Sequence, residues 1–138
     1  MIRQSSETGI SIGSLPSSTE IPAETVQIVQ NEISETGNSG IVLQGRSRKC
    51  QVIRNHIHDL EIEEGAGIAV LADDGYPYET GHSIHSNLVS RVSTDGLHFQ
   101  SAAGAANNVI TGCGGYGVRI EDPFGQKKLN RIYHNTFY

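Results

Sequence analysis

The sequence predicts an all-β protein, a parallel β-helix of about five rungs, and three observations carry that prediction. A short pattern of glycine, apolar, any residue, apolar recurs five times, as GISIGS at 9–14, GIVLQG at 40–45, GIAVLA at 67–72, GLHFQS at 96–101 and GVRIED at 117–122. A second pattern with Asn at a fixed position alternates with it. The two together repeat roughly every two dozen residues, with no helical periodicity, and a period of that size marks stacked repeats.

The glycine strands come first. Aligned on Gly9, Gly40, Gly67, Gly96 and Gly117, the next residue is Ile10, Ile41, Ile68, Leu97 or Val118, and two further on stands Ile12, Leu43, Val70, Phe99 or Ile120. Ser11, Val42, Ala69, His98 and Arg119 lie between them and follow no rule. Alternation of this kind buries one face of a strand and leaves the other free. Two interior columns are expected from it, with glycine starting each strand where the chain turns in tightly.

The second ladder reads IVQNEI at 28–33, VIRNHI at 52–57, IHSNLV at 84–89, VITGCG at 109–114 and IYHNTF at 132–137. Its fourth position is Asn31, Asn55, Asn87, Gly112 and Asn135, separated by 24, 32, 25 and 23 residues. Asn and Gly tolerate left-handed backbone best, so this position is expected to be a turn. Stacked Asn side chains also hydrogen-bond from layer to layer. Leucine-rich repeats would carry Leu at fixed positions, and propeller blades would be longer.

Composition agrees with thin stacked layers. The chain has 138 residues, 36% of them hydrophobic, with 16 Gly and no Trp. That is one domain, 1–138, built without large side chains. A net charge of −5 and the lack of a basic stripe argue against a nucleic-acid partner; the cationic run Arg46–Lys49 reads as a solvated turn. No apolar run approaches a membrane span, and the N-terminus lacks the apolar centre of a signal peptide. Cys50 and Cys113 define neither a disulfide framework nor a metal site. The chain stops inside a strand with no cap, so a piece of a longer β-helix, or self-association through open solenoid ends, is expected.

The repeat of Asn-x-Ile followed by Gly-Ile-x-Leu resembles that of the pectin-lyase-like superfamily of pectate lyases, polygalacturonases, alginate epimerases and phage tailspikes. The resemblance spans about residues 9–138. It implies a right-handed, single-stranded helix of three sheets, a polysaccharide lying along the outside of one sheet, and a secreted or cell-surface location. ETGISIGSL at 7–15 is similar to the polygalacturonase Gly-His-Gly-Ile-Ser-Ile-Gly-Ser motif, with Glu7 for the first Gly and Thr8 for the His. GVRIE at 117–121 is similar to that family's Gly-x-Arg-Ile-Lys clamp, with Glu121 for Lys. With the His gone and the acids that precede it lacking room, the mechanism is not carried over.

Candidate chemistry gathers on the free face of the glycine sheet. Rungs stack about 4.8 Å apart, so His98 should neighbour Arg119, and Gln100 should lie beside Glu121, with Asp95 just before. Arg119 would bind the carboxylate of a uronate, and His98 would carry a proton. Asp95, His98, Arg119 and Glu121 are the catalytic candidates. The longest rung holds an insertion, ADDGYPYETGH at 72–82, in which Tyr76 and Tyr78 could stack on a sugar beside Asp73 and Asp74. With Gln100, these are the candidate substrate-binding residues.

No metal or other cofactor is expected. His56 and His58 flank Ile57 and mimic a metal trio with Asp59, but same-strand neighbours do not converge without further ligands. Calcium at the acidic turn 61–65 is a weak alternative, for want of carboxylates from other rungs. The function expected is binding or processing of a polysaccharide, uronate-containing, by a lyase, epimerase or glycoside hydrolase. The alternative is a non-catalytic scaffold or assembly module.

Overall fold

Period-two strands separated by turns build three parallel sheets that wrap one apolar interior. The structure, a computed structural model, describes residues 1–13, 23–45, 47–72, 81–123, 125 and 129–138. Among them every strand pairing is parallel, each to the rung above or below.

The glycine sheet contains Ile10–Ile12, Ile41–Leu43, Ala66–Val70, Asp95–Phe99 and Val118–Ile120. Its register runs Ile10, Ile41, Ile68, Leu97, Val118, and two residues on Ile12, Leu43, Val70, Phe99, Ile120, as the alternation predicts. A second sheet, called here the histidine sheet, contains Ile2–Arg3, Glu32–Ser34, His56–Leu60, Leu88–Val92, Val109–Cys113 and Thr136–Phe137. The third contains Gln27–Val29, Gln51–Ile53, His82–His85, Ala103–Ala106 and Arg131–Tyr133, and a two-stranded ribbon joins Ala23–Glu24 to Ser47–Arg48.

Columns from the three sheets meet in one core, in which Ile33, Ile41, Leu43, Ile57, Ile68, Val70, Leu97 and Phe99 are fully buried. The initiating glycines serve this packing and not a turn, for none of the five has a positive φ. A Cβ on Gly40 would lie 2.6 Å from Ile57 Cγ2 and 2.8 Å from the Gly67 carbonyl oxygen. Gly9, Gly67, Gly96 and Gly117 face Ile33, Val89, Ile110 and Phe137 in the same way.

The asparagine ladder is present, but its fourth member is Asn108 and not Gly112. Successive members lie 24, 32, 21 and 27 residues apart. Asn87 Oδ1 accepts the backbone N–H of Asn55 at 2.8 Å and its side-chain amide at 3.0 Å, and Asn108 Oδ1 does the same for Asn87. The apolar positions flanking the fourth member are accordingly Ala105 and Ile110, not Val109 and Gly114. Ala105 is a small residue in a fully buried column, so VITGCG gave the stronger apolar pattern four residues too late.

The left-handed residues are those immediately before the ladder: Gln30, Arg54, Ser86, Asn107 and His134. The Asn side chain is kept for its hydrogen bonds and a neighbour makes the turn. Gly112 is left-handed too, in a different column that runs Gln4, Glu35, Asp59, Arg91, Gly112.

Candidate functional site

Two outward-facing clusters of histidine and charge arise from this stacking, one on each of two sheets. On the glycine sheet, His98 is in register with Arg119. His98 Nε2 lies 2.9 Å from Glu121 Oε2, and Gln100 Nε2 donates to the same oxygen at 3.3 Å. Arg119 pairs with the other Glu121 oxygen and lies 3.6 Å from Asp95 Oδ2. The hydrogen bond from His98, helped by Gln100 and Arg119, holds the Glu121 carboxyl below its ordinary value.

Asp95 departs from its expected role. It is buried, and its Oδ1 accepts the Tyr116 N–H at 2.7 Å, so one oxygen is committed to the turn of the next rung. The outer face is also less free than alternation implies, since Val42 and Ala69 are buried. Asp73, Asp74, Tyr76 and Tyr78 lie outside the described residues. The structure therefore brings together Asp95, His98, Gln100, Arg119 and Glu121.

The second cluster lies on the histidine sheet. Ile57 points into the core, which turns His56 and His58 outward on the same face. The neighbouring rung supplies Glu32, in register with His56. One ligand atom from each of Glu32, His56 and His58 falls within 4.8 Å of the other two, and no other group of this kind occurs among the described residues. Metal–ligand bonds of roughly 2 Å place donors about 3–4 Å apart, so small side-chain rotations close the set. The third candidate ligand atom thus comes from the rung below and not from Asp59.

Asp59 plays another part. Its Oδ2 lies 2.7 Å from His58 Nδ1, and both its oxygens are held by Arg91, stacked on the next rung. The Arg91 guanidinium, followed by His58, keeps the Asp59 carboxyl far below the usual range. A carboxylate only accepts, so His58 Nδ1 carries the proton. The other nitrogen, Nε2, lies 3.3 Å from Glu32 Oε1, and in the neutral ring with its proton on Nδ1 it is an acceptor. Two acceptors facing each other call for a proton or a cation between them. His56 is pushed below its ordinary value by burial and then by His58, which favours the neutral, ligating imidazole.

Sequence reasoning passed over Glu32, although a signal existed: Glu32 follows Asn31 just as His56 follows Asn55, and the ladder aligns the two.

Comparison with known proteins returns one family. The family model described as NosD, periplasmic copper-binding protein, matches residues 2–138. No curated protein and no solved structure matches the chain. The expectation of no metal cofactor is overturned by this family and by the Glu32–His56–His58 cluster. The third candidate donor lies on another rung, where single-strand spacing does not reveal it and rung stacking does. The acidic turn 61–65, the place considered for calcium, yields no such cluster among the described residues.

Proposed function

The chain belongs to the NosD family, and from that premise we propose that it is a copper-binding β-helix whose ion is held by His56, His58 and Glu32. The observation that carries this reading is the convergence of three ligand atoms from two rungs within 4.8 Å. Two imidazoles and a carboxylate oxygen suit Cu(II), whereas thiolate and thioether donors select Cu(I). No Cys or Met belongs to the cluster. Among divalent first-row ions, affinity for such donors peaks at copper. The rest of the chain serves as a rigid, non-catalytic frame that fixes the spacing of the ligands.

The test is uptake by the purified protein. Cu(II) added in slight excess and passed over a weak chelating column should remain at about one ion per chain. The His56→Ala/His58→Ala double variant should retain almost none while keeping its β-sheet circular dichroism. Equal retention by the double variant would remove these residues from the site.

A second reading is favoured by a separate observation. An open groove of about 560 Å³, lined by Ser11, Val42, Gln44, Glu64, Ala69 and His98, runs along the outside of the glycine sheet. It reaches His98 of the His98–Arg119–Glu121 cluster. In this reading the groove contacts a uronate-containing polysaccharide, Arg119 binding its carboxylate. A panel of oligouronates and neutral oligosaccharides measured by calorimetry tests it, and absence of binding at millimolar ligand leaves the copper-binding scaffold alone.

A further inference from the structure

The copper reading names three ligands but leaves open what aims them. His58 is half-buried on the outer sheet face, and its sheet pairing alone does not decide which ring nitrogen is bare. Two residues on the left-handed column beside it do. Asp59 follows His58 directly, and its positive φ swings its side chain alongside the imidazole. Arg91 occupies the same column one rung on and grips both Asp59 oxygens.

We infer that Asp59, fixed by Arg91, is the positioning carboxylate of the metal site, holding His58 with Nδ1 protonated and Nε2 turned toward Glu32 and His56. The inference rests on the copper reading for its consequence and on side-chain geometry for its substance. A metal-ligating imidazole commonly donates its other N–H to a carboxylate, which fixes tautomer and orientation and raises ligand basicity. Here the Nδ1–Asp59 distance is 2.7 Å, and the other nitrogen, Nε2, lies 3.3 Å from Glu32 Oε1. Without Asp59, the ring is free to place its proton on Nε2, toward Glu32, and so block the site. The guanidinium matters because Asp59 is exposed and would otherwise sample other rotamers.

The column also supplies a clean variant. Gly112 stands two rungs on at the position equivalent to Asp59, so Asp59→Gly removes the carboxylate without straining the left-handed backbone. Asp59→Asn keeps an oxygen that accepts from Nδ1–H and suits the same backbone.

The experiment has two arms. In metal-free wild-type protein at about pH 8, where imidazole is neutral, nitrogen-15 shifts of His58 should report Nδ1–H and bare Nε2. Cu(II) affinity, measured against a competing chelator, should fall roughly 10- to 100-fold in Asp59→Gly, with an unchanged melting temperature. It should be largely restored in Asp59→Asn. Protonated Nε2 in the wild type overturns the inference whatever the copper result. Wild-type affinity in Asp59→Gly overturns it alone and leaves the copper ligands standing. Failure of the wild type to take up copper overturns both.

Discussion

The outer faces of the glycine and histidine sheets carry the same kinds of residue in different arrangements. Each has histidine, carboxylates and arginine spread over neighbouring rungs. On the glycine sheet the single imidazole, His98, bonds Glu121, and Arg119 bonds Glu121 as well. Every group there has a partner of its own. On the histidine sheet the arginine is displaced outward, onto Asp59, and Asp59 in turn takes the Nδ1 proton of His58. What remains is a set of ligand atoms from Glu32, His56 and His58 within 4.8 Å of one another, with His58 Nε2 3.3 Å from Glu32 Oε1. The difference teaches that on a solenoid the position of the arginine decides the chemistry. Placed among the acids it closes an ion cluster; placed one column away it leaves a donor set for a cation.

The largest effect expected is one that would break both faces together, because both hang on the asparagine ladder. Asn87→Ala leaves the buried backbone N–H of Asn55 without its acceptor, while the Asn55 amide keeps the Ile28 and Ile53 carbonyls. One orphaned buried donor costs roughly 1–3 kcal/mol, and the bonds of the Asn87 amide to the Val52 and His85 carbonyls are lost with it, all to be read from urea denaturation. An unchanged midpoint would show that neighbouring rungs do not need the ladder.

The next effect sets a buried histidine against those of the two outer faces. His82 is buried, its Nδ1 accepts the Cys50 N–H at 3.2 Å, and burial lowers its pKa from 6.5 to about 4. The unfolded chain therefore takes up a proton below pH 6.5 that the native imidazole refuses until about pH 4. Its contribution is complete above pH 6.5 and is lost as pH falls across that window, by about 3 kcal/mol in all. Stability of wild type and His82→Asn compared between pH 7 and 4 checks this, the variant losing less. Parallel pH curves would contradict the assignment.

A smaller effect sharpens the comparison from the glycine side. If that face contacts an acidic sugar, Arg119→Ala should weaken oligouronate binding by about 1.5–3 kcal/mol, the usual worth of a charge-assisted hydrogen bond. It should leave copper affinity at the wild-type value, since Arg119 stands on another sheet. Loss of stability without loss of sugar binding would make Arg119 a structural member of the Asp95–Glu121 cluster.

Much of this architecture is legible in the sequence because large apolar residues alternate. Ile41, Leu43, Ile68, Val70, Leu97 and Phe99 announce their columns, and the glycines between rungs mark where sheets approach closest. Legibility fails where a core position is filled by a small residue. Ala105 offers no signal, so the sequence pattern points to Val109 and Gly112 where the ladder holds Ala105 and Asn108. The glycine-face neighbours His98, Arg119, Gln100 and Glu121 were readable because their register follows directly from the glycines. The proposed copper ligands are half readable: His56 and His58 lie two apart in the sequence, but Glu32 joins them only through rung stacking. The pairing of Asp59 with Arg91 is not readable, since it depends on a left-handed column that no residue type signals.

The measurement that tests the central claim most directly is electron paramagnetic resonance of Cu(II) bound to wild type, His56→Ala and His98→Ala. The account predicts a single copper with hyperfine coupling to two imidazole nitrogens in wild type, an identical spectrum in His98→Ala, and loss of one nitrogen with weakened binding in His56→Ala. A spectrum that changes on loss of His98 and stays the same on loss of His56 would place the ion on the other face and contradict the account.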